Sequence, residues 1–344
     1  MPETSKTANK IGLEKKDYGG AKSTLCVGCG HDQITRVVIE AAYRSGVDPY
    51  NVVKTSGIGC SSKTPAYFID RGYGINAVHG RMPSVAAGAN LANKHLMTIG
   101  VSGDGDTASI GLGQFCHAVR RNTNMVYVVE NNGVYGLTKG QFSATSEKDS
   151  RSKSGAVNDY ADIDLCTMAL ELGCGFVARS FSGDSKQMVA LLRAAIAHRG
   201  FALIDCISPC VTFNNLPDST KGFEWLRENN VKLHELGFVA EYEAESVEQE
   251  PGEAISVEMP DGSLLTLHSL DEEHDPTSFE SAHGVLVKDR LDHGHVYTGL
   301  IYINESSRPL DETLHLPDRP LAMMGEEELR PSPEMLDSLM APYR

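Results

Sequence analysis

The sequence contains no long uninterrupted apolar run. Of its 344 residues, 41% are hydrophobic, which is enough for a large core, but no run reaches the length of a membrane-spanning helix. The first 18 residues, MPETSKTANKIGLEKKDY, are polar and mixed in charge, without the apolar centre of a secretion signal. We therefore expect a globular, cytoplasmic protein of one large or two moderate domains that does not associate with a membrane.

Positive charge is scarce. The chain has 31 lysines and arginines against 46 aspartates and glutamates, and its formal net charge is -15. Surfaces that bind nucleic acids need clustered positive charge, so this balance argues against a nucleic-acid partner. The sequence also shows no internal repeat.

Short apolar runs alternate with amphipathic segments along much of the chain. The apolar runs predict buried strands at 96–101, 125–129, 175–178 and 201–207. The amphipathic segments predict helices that begin at Asp32 or Gln33 and at Ser84, and further helices at 111–120, 163–172 and 185–197. This alternation favours an α/β fold with a mostly parallel sheet that is covered by helices on both faces.

The composition changes in the last third of the chain. We expect one α/β domain over residues 1–235 and a C-terminal extension over residues 236–344. The segment 241–277 is acidic, and its part from Ile255 to Leu267 predicts a small hairpin around a Pro-Asp-Gly turn. Beyond Ile303 we expect a mostly irregular tail.

Polar residues follow two of the predicted strands. The turn GDGD, residues 103–106, ends the strand at 96–101, and Asn131 and Asn132 end the strand at 125–129. Ligands of open α/β sheets bind at the carboxyl ends of the strands, so we expect both groups on one rim. Glycines let backbone N–H groups approach a phosphate, and Asp104 and Asn132 offer oxygen ligands suited to Mg²⁺ on a diphosphate. The alternative is that these residues only cap a helix and a turn.

The eight cysteines are predicted to be reduced thiols or metal ligands rather than disulfides. Cys26 and Cys29 lie in CVGCGH, Cys60 in GIGCSSK and Cys210 in SPCVTFNN, all at glycine or proline turns. These four are compatible with a four-thiolate site, either structural zinc or an iron–sulfur cluster. The others lie in helical or strand patterns, as buried unreactive thiols do: Cys116, Cys166, Cys174 and Cys206. Cys206 stays open as a ligand because CISPC places it close to Cys210.

Several motifs follow one another in a specific order: CVGCGH, GIGCSSK, HGRMPSVAAGAN, GDGD followed by NN, and YGLTKGQ. In this order they resemble the β subunits of the 2-oxoacid:ferredoxin oxidoreductases, most closely those of the 2-oxoglutarate type. The similarity covers about residues 18–230 and resumes at HDPT, residues 274–277. The resemblance implies a thiamine diphosphate-binding fold whose cofactors are thiamine diphosphate, Mg²⁺ and one 4Fe-4S cluster.

The resemblance also implies roles for individual residues. It assigns the cluster to Cys26, Cys29, Cys60 and Cys210, and Mg²⁺ to Asp104, Asn132 and the backbone carbonyl of Val134. It implies that Lys63 meets the substrate carboxylate and that His79 lies near the cofactor. A solvated surface lysine and a structural histidine are the alternatives. The other residues that it implies at the cofactor are Gly59, Ser61, Gly103, Gly105, Asp106, Tyr135, Gly136, Leu137 and Thr138, together with Cys60.

The resemblance finally implies an activity. Enzymes of this family oxidatively decarboxylate a 2-oxo acid with coenzyme A and pass the electrons to ferredoxin, here 2-oxoglutarate to succinyl-CoA and CO₂, reversibly. It implies a separate α subunit, in a dimer of α–β heterodimers. No glutamate of this chain stands out for the aminopyrimidine ring of thiamine, and in the family this residue comes from the α subunit. The alternatives are a pyruvate-type enzyme, a non-redox thiamine decarboxylase or carboligase with structural zinc, and a non-catalytic zinc-binding interaction protein.

Overall fold

The computed structural model describes residues 8–239, 254–270 and 274–344. Its strands are β1 (Val52–Ser56), β2 (Tyr73–Asn76), β3 (Met97–Gly103), β4 (Met125–Asn131), β5 (Val134–Tyr135), β6 (Gln141–Phe142), β7 (Phe176–Phe181), β8 (Phe201–Ile207), β9 (Asn230–Lys232), β10 (His234–Val239), β11 (Ala254–Glu258), β12 (Leu264–Ser269) and β13 (Val296–Ile303). Its helices are α1 (Gly30–Ser45), α2 (Met82–Ala92), α3 (Leu112–Arg120), α4 (Leu165–Glu171), α5 (Ser185–Ala197), α6 (Phe223–Asn229), α7 (Phe279–Leu291), α8 (Leu310–Thr313), α9 (Glu326–Leu329) and α10 (Pro333–Met340).

The main sheet has the order β2-β1-β3-β4-β8-β7-β13-β9 among the described residues. Neighbouring strands are parallel except β13, which runs antiparallel to β7. Alternate residues of each strand face opposite sides of the sheet: Val126 and Val128 pack with α1 and α5, whereas Met125 and Tyr127 pack with α2, α3, α4 and α7. The predicted α/β class, with helices on both faces, is confirmed.

The segment after residue 235 is joined to the same sheet. The predicted boundary lies inside β10, and β13 from beyond it pairs with β7, so the structure does not divide the chain there. An antiparallel hairpin is present at β11 and β12, and it extends β10 into a three-stranded sheet. The tail beyond Ile303 contains the short helices α8, α9 and α10.

Two helices begin earlier than predicted. Helix α1 starts at Gly30, because the turn of the CVGC motif leads directly into it. Helix α2 starts at Met82, so Ser84 lies inside the helix and does not cap it, and its hydroxyl donates to Gln114 of α3 instead. None of the helices in the described ranges has the length and apolar character that a membrane crossing requires.

A buried group of charges fixes α7 to the sheet. The guanidinium of Arg179, on β7, contacts Asp164 at the start of α4, Asp289 of α7 at 2.5 Å, and Asp205 of β8 at 3.8 Å. Asp205 also accepts a hydrogen bond of 3.0 Å from the Asn131 amide. Burial of a charge requires such partners, so this group connects the C-terminal region to the end of β4.

Candidate functional site

The ends of β3 and β4 bring the two predicted polar groups together. These strands are parallel neighbours, with Gly103 opposite Glu130, so the residues that follow them emerge at one edge of the sheet. The backbone N–H of Asn132 donates to Asp104 Oδ1 at 3.2 Å. The GDG turn and the asparagine pair therefore form one site.

The carboxyl group of Asp104 is buried and held by the protein. Its exposed fraction is 1%, and its Oδ2 accepts hydrogen bonds from Ser143 Oγ and, at 2.9 Å, from Thr145 Oγ1. Burial raises the pKa of Asp104, whereas these hydrogen bonds lower it. A cation beside Asp104 would favour its charged form, so the group is suited to bind one.

Asn132 and Val134 lie in a turn next to this carboxylate. Gly133 has a φ of 69°, a left-handed conformation that glycine adopts without strain. The turn is fixed because Val134 N–H donates to Asn132 Oδ1 at 3.0 Å, and the Asn214 amide donates to the Asn132 carbonyl at 2.8 Å. The oxygen atoms of Asn132 and Val134 that are predicted as metal ligands thus come from a turn that hydrogen bonds hold in place.

A cavity of about 120 Å³ opens beside these residues. All residues that the resemblance implies at the cofactor line it, and so does His79: Gly59, Cys60, Ser61, Gly103, Asp104, Gly105, Asp106, Asn132, Val134, Tyr135, Gly136, Leu137 and Thr138. His31, Ile58 and Ile110 complete the lining. Lys63 is half-buried and does not line the cavity.

The cavity walls fit a phosphate-bearing ligand with a bound cation. Ser61 Oγ is buried without a hydrogen-bond partner in the structure, and a Cβ added to Gly103 would lie 3.1 Å from it. A Cβ on Gly105 would lie 2.5 Å from the Tyr135 ring, whose hydroxyl donates to the Gly105 carbonyl at 3.2 Å. The unpartnered hydroxyl and the close glycine backbone are the groups that anchor phosphates in such turns.

Asp106 has both carboxylate oxygens engaged by the protein. Its Oδ1 accepts from the Gly80 N–H and its Oδ2 from Ser102 Oγ, each at 2.9 Å. Gly80 has a φ of 67° and packs so closely on Gly111 that a Cβ would lie 2.7 Å away. Asp106 therefore positions the loop that carries His79, which is itself exposed.

A larger cavity, of about 340 Å³, is lined in part by Asn131 and Thr145. Several of its charged lining residues pair with one another, for example Lys221 with Glu147 at 3.3 Å and Arg290 with Asp162 at 2.8 Å. The smaller cavity holds the GDG and NN residues and an unpartnered hydroxyl, so it is the better candidate for the functional site.

The four predicted cysteine ligands gather beside the smaller cavity. Gly30 N–H donates to the Pro209 carbonyl at 3.3 Å, which joins the CVGC loop to the loop that carries Cys210. Cys60 begins a short 3-10 helix, Cys60–Ala66. A Cβ on Gly136 would lie 3.5 Å from Cys60 Sγ and 3.7 Å from Cys210 Sγ. The backbone of Gly136 therefore borders both the cavity and the cysteine group.

The electrostatics of the thiols reflect the same proximity. Burial raises the pKa of Cys29 to about 12, and Glu130, Cys210 and Cys60 add to the rise. Burial also raises the pKa of Cys60, as does Cys210, whereas Lys63 lowers it. In the described ranges, no three His, Cys, Asp or Glu side chains lie close enough to hold one metal ion. Binding of a metal to these thiols must release their protons.

The other cysteines lie apart from this group. Cys206 lies on β8 and is fully buried, and its Sγ is 3.5 Å from Met188 Sδ of α5 in the core between the sheet and this helix. Cys166 and Cys174 are buried as well, and the half-buried Cys116 contacts Met168 at 3.5 Å. These environments are those of core side chains, as the sequence predicts.

A buried polar group behind the site was not found from the sequence. Thr64 Oγ1 lies 3.0 Å from both carboxyl oxygens of Glu130, and His31 Nδ1 lies 2.6 Å from Ser208 Oγ and 3.8 Å from Glu130. Burial raises the pKa of Glu130 well above its usual range and lowers that of His31 to about 4. Both shifts have the same cause, burial, and both favour the uncharged form of the side chain. The sequence did contain one sign of this group: Glu130, an acid at the end of the apolar run in VVENN.

Known proteins resemble this chain in sequence. The family model for the thiamine pyrophosphate enzyme C-terminal TPP binding domain matches residues 57–206. The chain is 42% identical over 214 residues to a 2-oxoacid:ferredoxin oxidoreductase subunit beta of a Sulfolobus species, over 61% of this chain and 68% of that one. It is 31% identical over 256 residues to the 2-oxoglutarate synthase subunit KorB of Methanocaldococcus jannaschii, over 72% of this chain and 92% of that one.

A solved structure resembles it over nearly its whole length. The 2-oxoglutarate:ferredoxin oxidoreductase from Magnetococcus marinus, solved with 2-oxoglutarate, coenzyme A and succinyl-CoA bound, aligns with a TM-score of 0.73 and 28% identity over 96% of each chain. The resemblance inferred from the motifs is thus confirmed by independent sequence and fold similarity. The chain belongs to the β subunits of the 2-oxoacid:ferredoxin oxidoreductases.

Proposed function

We propose that this chain is the β subunit of a 2-oxoglutarate:ferredoxin oxidoreductase. The complete enzyme converts 2-oxoglutarate and coenzyme A to succinyl-CoA and CO₂, reversibly, and passes two electrons to ferredoxin. A separate α subunit supplies the rest of the active site, and two α–β pairs form the enzyme. The names of the Methanocaldococcus relative and of the Magnetococcus structure support the choice of 2-oxoglutarate.

In this proposal the cavity holds thiamine diphosphate and Mg²⁺. The carboxylate of Asp104, the amide oxygen of Asn132 and the carbonyl of Val134 would bind the ion, and Ser61 Oγ would donate to the diphosphate. The glycine turn brings backbone N–H groups to the same place. Thiamine diphosphate held there would supply a nucleophilic carbon and an electron sink for decarboxylation of the 2-oxo acid.

The four cysteine thiolates Cys26, Cys29, Cys60 and Cys210 would hold the 4Fe-4S cluster. The observation that carries the proposal is the position of Gly136, whose backbone lines the cavity and lies next to two of these sulfurs. A single backbone unit between the two centres suits an enzyme that oxidises its substrate by one-electron steps. A non-redox thiamine enzyme has no use for that proximity.

Two residues remain proposed substrate contacts. Lys63 offers a point charge to a carboxylate, and it lies near Cys60, whose pKa it lowers. It does not line the cavity, so its contact with substrate would form outside the cavity, with the α subunit present. His79 lines the cavity on the loop that Asp106 holds, and its exposed ring is free to meet the cofactor or substrate.

The first test is the metal and cofactor content of the protein isolated without oxygen. We expect about four iron atoms and about four sulfides per chain, and binding of thiamine diphosphate only with Mg²⁺. The chain alone should be inactive, and addition of its α subunit should restore 2-oxoglutarate- and coenzyme A-dependent reduction of ferredoxin. Zinc without sulfide would indicate a non-redox thiamine enzyme, and faster turnover of pyruvate would indicate the pyruvate type. Activity of the isolated chain would contradict the need for the partner.

Replacing Gly136 with alanine should disturb the cluster and leave the cofactor cavity intact. The added methyl group points toward the Cys60 and Cys210 sulfurs at ordinary contact distance, so the chain folds, but space beside the cluster is lost. We expect lower iron content or a shifted reduction potential, because solvent and dipoles around the sulfurs set that potential. Thiamine diphosphate affinity should not change.

The matched control is Gly113→Ala, since a Cβ on Gly113 of α3 meets open space. This variant should keep the iron content and the potential of the parent. A Gly136→Ala protein with an unaltered spectrum and potential would show that the backbone there does not contact the cluster.

A further inference from the structure

Asp104 shares one of its hydrogen-bond donors with a second acceptor. Thr145 Oγ1 lies 2.9 Å from Asp104 Oδ2 and 3.0 Å from the amide oxygen of Asn131. A threonine hydroxyl has a single proton, so the two oxygen atoms compete for it. The other donors to Asp104, the Asn132 N–H and the Ser143 hydroxyl, do not depend on this competition.

The orientation of the Asn131 amide sets the outcome of the competition. Its NH₂ group donates to Asp205 Oδ1 at 3.0 Å, so its oxygen faces Thr145. A carboxylate accepts hydrogen bonds and cannot donate one, so Asp205 holds the amide in this orientation. The side chains of Asn131, Thr145 and Asp205 are all buried, with exposed fractions of 5, 2 and 3%.

Charged groups from three neighbouring segments act on Asp205. Burial raises the pKa of Asp205 to about 6; Arg179 of β7 lowers it, Asp164 at the start of α4 raises it, and the Asn131 amide and Lys221 lower it. Arg179 Nε lies 3.8 Å from Asp205 Oδ2, the oxygen on the side away from the closer Asn131 contact. Measurements at pH 8 therefore examine the charged form of Asp205.

We propose that Asp205 is a positioning residue of the Mg²⁺ site, an inference that rests on the proposed function. By holding the Asn131 amide, it draws the Thr145 proton partly away from Asp104. Hydrogen bonds to a carboxylate reduce its affinity for a proton, and they reduce its affinity for a cation for the same reason. Asp205 does not line the cofactor cavity, so it acts on the ion only through Asn131 and Thr145.

Loss of the charge at position 205 should reverse the Asn131 amide. In Asp205→Asn, the guanidinium of Arg179 favours the new amide oxygen on its own side, so the new NH₂ group faces Asn131. Asn131 then turns its oxygen toward position 205 and its NH₂ group toward Thr145. Thr145 donates fully to Asp104 as a result, and the carboxylate keeps less charge for the cation.

The test uses the assembled α–β enzyme, freed of thiamine diphosphate and Mg²⁺, at pH 8. We expect Asp205→Asn to weaken Mg²⁺ binding at saturating thiamine diphosphate by roughly tenfold, the lower end of the effect of outer partners of a metal ligand. Calorimetry gives this affinity without turnover. The KM for Mg²⁺ in viologen reduction with 2-oxoglutarate should rise by a similar factor, whereas kcat at saturating Mg²⁺ should not change.

Two further variants test the path through Thr145. In a Thr145→Val protein, Asp205→Asn should have no additional effect on Mg²⁺ affinity, because no hydroxyl proton is left to redirect. Asn131→Leu removes the competing oxygen and leaves the ion pairs of Arg179 unchanged. It should therefore weaken Mg²⁺ binding by a similar factor, and it tests the proposal even if Asp205→Asn does not assemble.

The matched control is Asp164→Asn, which removes a negative charge from the same guanidinium. Asparagine can still cap α4 at this position, as Asp164 does by accepting from the Thr167 N–H. This variant should keep the Mg²⁺ affinity of the parent. An equal loss in the control, an additional effect of Asp205→Asn in the Thr145→Val protein, or an unchanged affinity in Asn131→Leu would each overturn the proposal.

The proposed function fails separately. A parent enzyme that binds no thiamine diphosphate in the presence of Mg²⁺ counts against the function itself. A parent that binds both, with Mg²⁺ affinity unchanged by Asp205→Asn, counts against the positioning role alone.

Discussion

Replacing Cys210 with alanine should remove most of the iron and sulfide and leave the thiamine diphosphate site intact. Cys210 would supply one of four thiolates, and its removal would leave one iron without a protein ligand, which would destabilise the whole cluster. The turn around it should survive, because it is made by the backbone: the Phe213 and Asn214 N–H groups donate to the Cys210 carbonyl at 3.3 and 2.9 Å. Iron, sulfide and thiamine diphosphate per chain give the measurement.

Cys206→Ala is the control for this variant, since CISPC brings both cysteines into one short segment. Cys206 Sγ contacts Met188 in the core and is not among the cysteines beside Gly136. We expect Cys206→Ala to keep the iron and to lose only some stability from the small cavity that it leaves. Retention of iron in Cys210→Ala, together with loss in Cys206→Ala, would move the ligand to Cys206 and contradict the assignment.

Apolar runs in the sequence predicted the central strands of the sheet, but not β1, which lies next to its edge strand β2. Strands β3, β4 and β8 each contain an apolar run and were found from the sequence, but β1 was not, because Lys54 interrupts VVKTS. In the structure Lys54 is buried, and its Nζ donates to the Phe68 carbonyl at 2.9 Å. Burial lowers the pKa of this lysine. The sequence around a buried lysine looks the same as the sequence around an exposed one, because the buried lysine's partner, here the Phe68 carbonyl, lies elsewhere in the chain.

The pairing of β13 with β7 could not be predicted for a related reason. Local periodicity indicates that a segment is a strand, but not which distant strand it pairs with. The acidic composition of residues 241–277 suggested a separate extension. The ion pair of Asp289 with Arg179 and the ladder from β13 to β7 depend on residues more than a hundred positions apart.

The site, like the sheet, has residues that the sequence predicted and residues that only the structure reveals. Asp104 and Asn132 were found because both follow strands at a recognisable spacing. The hydroxyls of Ser143 and Thr145, which hold Asp104, come from a loop 39 and 41 residues later and have no sequence signature of their own. Asp106 was assigned to the cofactor with its neighbours, and only the structure reveals that its oxygens hold Gly80 and Ser102.

Replacing Asp104 with asparagine should weaken the binding of thiamine diphosphate and Mg²⁺ by at least about 100-fold, because outer partners of a metal ligand alone are worth 10–100-fold. Asp104 is the only charged group among the proposed Mg²⁺ ligands, and asparagine has the same size without the charge. The measurement is the affinity for thiamine diphosphate at saturating Mg²⁺, by calorimetry or by quenching of protein fluorescence.

The hydrogen bonds around position 104 let the asparagine variant fold. The Asn132 N–H, which donates to Oδ1 of Asp104, is a fixed backbone donor. The amide oxygen of the asparagine can therefore take the place of Oδ1 and accept this hydrogen bond. Its NH₂ group then faces the Ser143 and Thr145 hydroxyls, which can rotate to accept. Iron and sulfide should therefore stay at the parent level, in contrast to Cys210→Ala, and the exposed Asp159→Asn should change neither cofactor.

The two variants together separate the centres of the enzyme. We expect Asp104→Asn to lose thiamine diphosphate and keep the iron, and Cys210→Ala to do the reverse. This is the result for two independent sites that are separated only by the backbone of Gly136. Unchanged thiamine diphosphate affinity in Asp104→Asn would contradict the metal assignment. Loss of iron in the same variant would mean that the Asn132 to Gly136 segment must be ordered by Mg²⁺ before the cluster can form, so that the two sites are filled in sequence.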